Sequence, residues 1–364
     1  MPRGYEFGRF FLPGPTDVHL EVLQAMVHPM FAHRGPEMIA LLQRIEAPLQ
    51  RLFRTSRPVM MATSSATGFM EAAVRGGVRD RVLVVDGGFF GDRFARIAER
   101  CGKQVVRLPV PLGRAIEADD LTRALDRHVV DAVAMVHCET STGTLAPLEE
   151  IARVVRARDD VVLLVDAVTS IGGSPVETDA WGLDFVFTGS QKALAMPPGI
   201  SLAVASPRMM DRARAQEQPG WYFDLALHEE AIKVHQPTQT PALPLYLALE
   251  AQLGRIEAEG GVEARWARHR AMLGMMEAWV SDHPALGFFA PEGRRAWTVS
   301  ALRVPAGTTG RKIAAKLLER GWTIGAGLDE MADAMIRIGH MGDLTPVHFA
   351  GLLSALADVV AGPA

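Results

Sequence analysis

Short runs of β-branched and aliphatic residues alternate with amphipathic stretches through the middle of the chain, and this alternation predicts its architecture. "RVLVVDGG" (81–88) has the continuous apolar character of a buried strand. "FFGDRFARIAERCG" (89–102) follows with helical periodicity and a closing glycine, and "KQVVRLPV" (103–110) is the next strand. "DAVAMVHCET" (131–140), "VVLLVDAVTS" (161–170) and "LDFVFTGSQ" (183–191) are three more apolar runs, each ending in small polar residues. "PLEEIARVVRA" (147–157) supplies a helix between the first two. Strands that alternate with helices predict an α/β fold whose mostly parallel sheet is covered on both faces.

From about Pro241 the periodicity lengthens into two long helices, 242–260 and 261–283. A smaller α+β region then follows, with strands near 296–304 and 334–341 and helices near 310–321 and 345–360. A second domain is expected to begin near Gly260, and no internal repeat or low-complexity tract interrupts the chain.

In open α/β sheets ligands gather at the carboxyl ends of the strands, so the residues after each run carry the interest. Thr140, Asp166 and Lys192 all fall there. A buried lysine shifts toward a neutral, nucleophilic amine, whereas the usual fate of a loop lysine is a solvated surface. Asp166 needs a cationic or hydrogen-bonding partner if desolvated, and an aspartate at this place can equally cap the following turn. In "MATSSATGFMEAAVRGG" (61–77) a strand passes through hydroxyl residues into a helix, with Glu71 expected near the first turn. Ser65 and Thr67 beside the free N–H groups of that helix start suit a phosphate, although a plain N-cap would use the same residues.

Composition narrows the possibilities. The 364 residues are 48% hydrophobic and 22% charged with a net charge of -4, as in a soluble enzyme and without the basic surface that follows a nucleic acid. Only Cys101 and Cys138 occur, far apart, so neither a disulfide framework nor a thiolate metal site is indicated. The charged, proline-containing start "MPRGYEFGRFFLPGP" lacks a secretory apolar core and no later run reaches membrane-spanning length, so a cytoplasmic protein without a membrane partner is expected. Neither GxxxxGK[ST] nor GxGxxG is present.

An anion site, a carboxylate at one strand exit and a lysine at another together match the needs of pyridoxal 5′-phosphate: its phosphate, its ring nitrogen and its aldehyde. At this point the chain resembles a known family. "LPGPT" (12–16), "TSSATGFMEAAV" (63–74), "HCETSTGTLAPLEEI" (137–151), "VDAVTSIGG" (165–173), "SQKALAMPPGI" (190–200), "TPALPLYLALEA" (240–251) and "IRIGHMGD" (336–343) are similar, in order and spacing, to the motifs of class V, fold type I pyridoxal-phosphate aminotransferases. The likeness is to the alanine–glyoxylate and serine–pyruvate (serine–glyoxylate) enzymes, including ureidoglycine-using relatives.

The resemblance implies an N-terminal segment (1–18) reaching the active site, a large domain (19–259) around a mostly parallel seven-stranded sheet, and a small α+β domain (260–364). It implies that Lys192 carries the cofactor and shuttles the proton, and that Asp166 pairs with the ring nitrogen. Ser65, Ala66 and Thr67 match the phosphate loop, with Gln191 adding a donor. Phe90 matches the aromatic that stacks on the ring. Thr140 or Ser141 would reach the phenolic oxygen; the choice is open. Thr240 matches a residue that crosses a homodimer interface to the neighbouring phosphate, Arg337 grips the substrate carboxylate, and Gly14 lines the substrate pocket. Closure of the small domain would bring Arg337 to the carboxylate. Two departures stand out: Ala66 sits where the family loop has glycine, and Pro237 where many relatives have a phosphate-contacting tyrosine, with Gln236, Thr238 or Gln239 as replacements. His33 and Arg34 are candidate pocket neighbours from a partner chain.

The implied activity moves an amino group from a small amino acid to glyoxylate or pyruvate by a ping-pong route. Alternatives are a class V lyase or desulfurase, an aminotransferase for 2-aminoethylphosphonate or ureidoglycine, and a non-catalytic protein of this fold.

Overall fold

A computed structural model describes residues 6–361; residues 1–5 and 362–364, the outermost parts of the two expected terminal regions, lie outside it. The central sheet has seven strands in the order Met60–Ala62, Ser201–Ala205, Phe185–Gly189, Val162–Asp166, Ala132–Val136, Arg81–Asp86, Gln104–Pro109. The last five are mutually parallel, and Ser201–Ala205 runs antiparallel to both its neighbours. That reversal follows from the short return 190–200, too brief for a crossover helix.

Period-two alternation sends each strand's side chains to opposite faces, and both are covered. Leu83, Val85, Leu163 and Val165 enter one apolar core, beneath helices Pro36–Phe53, Leu148–Arg156 and Leu243–Ala258. Val82, Val84, Val162 and Leu164 enter the other, beneath Ala66–Gly77, Phe89–Arg100 and Pro207–Arg214. Burial of each such Val or Leu contributes roughly 1.5–3 kcal/mol, which is why these runs are apolar throughout rather than alternating with polar residues.

A five-stranded sheet forms the second body, in the order Phe10–Phe11, Thr323–Ala326, Met335–Gly339, Val299–Arg303, Gly287–Phe288. Its edge strand Phe10–Phe11 comes from the chain's beginning and pairs in parallel with Thr323–Ala326. Helix Val262–Asp282 joins the two bodies: Val262 and Trp266 pack into the large core, Met272 and Met276 into the small one. Among the described residues no helix is long and apolar enough to cross a membrane.

Candidate active site

Lys192 sits in a tight return. After strand Phe185–Gly189, the Ser190 hydroxyl donates to the carbonyl of Pro197 at 2.7 Å and the Met196 amide to the carbonyl of Ser190 at 3.0 Å, which closes the loop on itself. Ala195 takes a left-handed φ of 53°, a conformation that costs a non-glycine residue about a kcal/mol or more. The Thr16 amide and hydroxyl reach the carbonyls of Gln191 and Lys192, both at 3.0 Å, and strap the N-terminal segment over the turn. The Lys192 amine donates to the carbonyl of Pro13 and lies 5.9 Å from the centre of the Phe90 ring. Burial lowers Lys192 to about 8, and Arg337 pushes in the same direction. Lys192 is buried, and the surface alternative falls away.

Asp166 ends its strand on the same sheet edge. It is buried, and its Oδ1 accepts from the Val168 amide at 2.9 Å. Burial raises it to about 7; Glu139 also raises it, against the Val168 hydrogen bond, Lys192 and Arg93. Among the described residues no cation lies within ion-pair distance of this carboxylate. The turn-capping alternative survives only as that single backbone bond.

Between these groups opens a cleft of about 320 Å³. Ser65, Ala66 and Thr67 line it at the start of helix Ala66–Gly77. Ser65 holds the N-cap position without a side-chain cap bond, so the plain capping role is not taken up and the helix start faces the cleft with free amides. Glu71 does not sit in the first turn. It is the sixth helical residue and pairs with Arg75 at 2.7 Å, because four residues bring it onto the same face. Gly14, Phe90, Gln191 and Thr140 also line the cleft.

Thr140 and Ser141 take different directions. The Ser141 hydroxyl donates to Glu139 Oε1 at 2.6 Å and Ser141 does not line the cleft. Thr140 lines it, and its hydroxyl is buried without a hydrogen-bond partner among the described residues. Arg337 is held by the Ala326 carbonyl (2.9 Å) and the Thr140 carbonyl (3.3 Å), and burial draws it below the usual guanidinium range. The guanidinium is thus buried and tied to cleft-lining Thr140, while Arg337 itself is not among the residues that line the cleft. Thr240 is exposed and outside the cleft lining of its own protomer; so is Arg34, while His33 beside it, in the turn before helix Pro36–Phe53, is half-buried and also outside the lining. Gln236, Pro237, Thr238 and Gln239 are half-buried and also outside it.

Three contributors escaped the sequence reading. Arg93 lines the cleft with its guanidinium 5.0 Å from the Phe90 ring centre; its spacing, three residues beyond Phe90 on one helix, was the available signal. Glu139, almost fully buried, accepts from the amides of Phe90 (3.0 Å), Gly91 (3.3 Å) and Ser141 (3.0 Å), and so ties the helix carrying Phe90 to the neighbouring strand exit. Cys138 lines the cleft with its thiol pushed up to about 12 by burial. A buried, protonated thiol is the opposite of the mobile thiolate that a desulfurase needs, and Cys101 merely ends helix Phe89–Arg100.

The residues fit pyridoxal 5′-phosphate. An uncapped helix start suits the phosphate, a partnerless threonine hydroxyl suits a phenolic oxygen, a buried acid lacking a cation suits a protonated ring nitrogen, and a lysine shifted toward neutrality suits an aldehyde.

Comparison with known proteins agrees. Residues 16–340 match the family described as aminotransferase class-V. The soluble hydrogenase small subunit of Synechococcus sp. (strain PCC 6716) is 32% identical, over 96% of this chain and 92% of that protein. The L-aspartate–glyoxylate aminotransferase of Paracoccus denitrificans (strain Pd 1222) is also 32% identical, over 92% of this chain and 86% of its own length. Among solved structures, an alanine–glyoxylate aminotransferase from Nostoc sp. superposes with a TM-score of 0.92 at 32% identity, covering 99% of this chain and 97% of that one.

Proposed function

The chain belongs to the class V aminotransferases, and from that membership we propose that it transfers an amino group from a small amino acid to glyoxylate or pyruvate in two half-reactions. Pyridoxal 5′-phosphate, when bound, supplies an aldehyde that joins amines and a ring that accepts electron density from the substrate α-carbon. The chain's own residues supply the rest. Lys192 Nζ would hold the cofactor's aldehyde and, as the amine in the cleft, would take and return the substrate α-proton. An amine lowered to about 8 is neutral, and so able to accept that proton, in roughly a tenth of molecules at pH 7, against fewer than one in a thousand at the ordinary value. Asp166 keeps a proton on the ring nitrogen, gaining the cation its buried carboxylate lacks. The amides at Ala66 and Thr67, with Ser65 and Gln191, would hold the phosphate, Thr140 Oγ1 would serve the phenolic oxygen, and Phe90 would serve the ring. Arg337 offers a planar fork to the substrate carboxylate, with Gly14 leaving room beside it. A homodimer in which Thr240 of each subunit faces its neighbour's phosphate, located in the cytoplasm, completes the reading.

The observation that carries the proposal is the meeting of Lys192 and Asp166 in one cleft with an uncapped helix start. The cyanobacterial relative's hydrogenase name is not carried over, because nothing in this cleft argues for it. Amino acids should be screened singly against purified protein, following the absorption band of the lysine-bound cofactor. Loss of the band on adding alanine, serine or aspartate, its return on adding glyoxylate, and a roughly hundredfold lower kcat/KM in Arg337→Ala are expected. Unchanged activity in Arg337→Ala would favour a donor without an α-carboxylate.

A further inference from the structure

Arg265 is among the largest fully buried side chains of the protein, 1% exposed, and lies outside the cleft. A guanidinium without water must spend its donors on protein oxygens, and the choice of oxygens is informative. Nε and one terminal nitrogen donate to the carbonyl of Ala193, at 3.2 and 2.9 Å, the residue directly after Lys192. The other terminal nitrogen meets Asp343 at 2.8 Å and Glu259 at 3.2 Å. Asp343 follows the strand Met335–Gly339 that carries Arg337, and Gln252 donates to the same carboxylate oxygen at 3.0 Å.

Neighbouring contacts bind the same two segments. Gly342 has φ of 75°, and a Cβ there would lie 2.8 Å from the Cβ of the strained Ala195. Its carbonyl accepts from Arg268 at 2.9 Å and faces His269 Nε2 at 3.3 Å. Ala193 and Met341 share a small apolar cluster with Cys138 and Val299. The turn of Lys192 belongs to the seven-stranded body and the exit after Arg337 to the five-stranded one, so these bonds cross between the bodies right behind the cleft.

Resting on the function proposed above, we infer that Arg265 is a positioning residue for the reaction. By holding the Ala193 carbonyl and the Asp343 carboxylate with one rigid guanidinium, it fixes the spacing between the Lys192 amine and the Arg337 carboxylate grip. Lysine cannot reproduce this role, since an ammonium on a flexible stem does not present the same planar fork to two fixed oxygens. A misplacement of about 1 Å between reacting groups lowers rates on the order of a hundredfold, so a folded enzyme with a loosened clamp should be slow.

The test uses holoenzyme carrying Arg265→Lys, Arg337→Ala, and both changes, with Asp343→Asn as a milder break of the same clamp. In Arg265→Lys the absorption band of lysine-bound cofactor should persist. The dissociation constant of propionate, a carboxylate without an amine, read from its effect on that band, should rise about tenfold, and kcat/KM for the amino donor should fall by about ten- to a hundredfold. In the Arg337→Ala background the Arg265 change should add less than about twofold, because the spacing it controls no longer matters. Equal effects in both backgrounds, or unchanged propionate binding in folded Arg265→Lys, would overturn the inference. If Arg265→Lys does not fold, Asp343→Asn is judged by the same two criteria. A wild-type protein without any lysine-bound band would instead overturn the proposed function itself.

Discussion

At the scale of single residues, Thr140 and Ser141 show what adjacent hydroxyls cannot reveal in a sequence. Both follow the same strand and both can donate; only the three-dimensional fold shows that Glu139 has claimed one of them. We expect Thr140→Val to weaken cofactor binding about five- to tenfold and to shift the pH midpoint of the cofactor's absorption, as loss of one hydrogen bond of about 1 kcal/mol would. Ser141→Ala should leave that midpoint in place. A larger spectral shift in Ser141→Ala would reverse the assignment.

Lys192 also makes a prediction about pH. Burial lowers its pKa in the folded protein to about 8 from the ordinary 10.5, so the charged amine is the disfavoured form. In protein freed of cofactor this costs stability in full below about pH 8. The cost shrinks as pH rises toward 10.5, where the unfolded chain also releases its proton. Lys192→Met should therefore unfold at higher denaturant than wild type near neutral pH, and the gap should close by about pH 11. A gap that is absent at neutral pH, or constant to high pH, would contradict the burial argument.

At the scale of elements, the strands and helices were legible because alternation and 3.6-residue periodicity survive in a sheet buried on both faces. The exits of Val162–Asp166 and Phe185–Gly189 were legible for the same reason, and with them Asp166 and Lys192. What periodicity could not convey was how loops close over those exits. The antiparallel return through Ser201–Ala205, the strap of Thr16 on the Lys192 turn, and the burial of Arg337 all depend on contacts between distant segments. Gly14 lies within that strap, at φ 130°, where a Cβ would come within 2.5 Å of the Lys192 amine. Gly14→Ala should keep its fold yet lose at least tenfold in kcat/KM, because both the backbone conformation and the amine must move. Activity within twofold of wild type would show that the strap yields freely.

At the scale of the whole molecule, one protomer exposes several large apolar side chains. Tyr222 donates to the carbonyl of Thr63 at 2.9 Å, just before helix Ala66–Gly77, while the adjacent Trp221 is 73% exposed. Val27 and Met30 are 87% and 69% exposed, and Thr240 is exposed without lining its own cleft. Exposed apolar side chains of this size support the proposed homodimer. Trp221→Glu should lower the mass measured by light scattering toward that of one chain and weaken cofactor retention; a monomeric wild type with full activity would remove Thr240 from the site. Composition alone could not assign these positions, since partner residues and core residues share it; Thr240 is marked only by the family resemblance.

The account depends most on the Lys192 amine being the group that bears the cofactor. Treating the holoenzyme with borohydride reduces the carbon–nitrogen double bond joining them, and peptide mass mapping then locates the tag. The tag on the peptide containing Lys192, and its loss in Lys192→Ala, is the predicted result; a tag on another lysine, or none at saturating cofactor, would contradict the account.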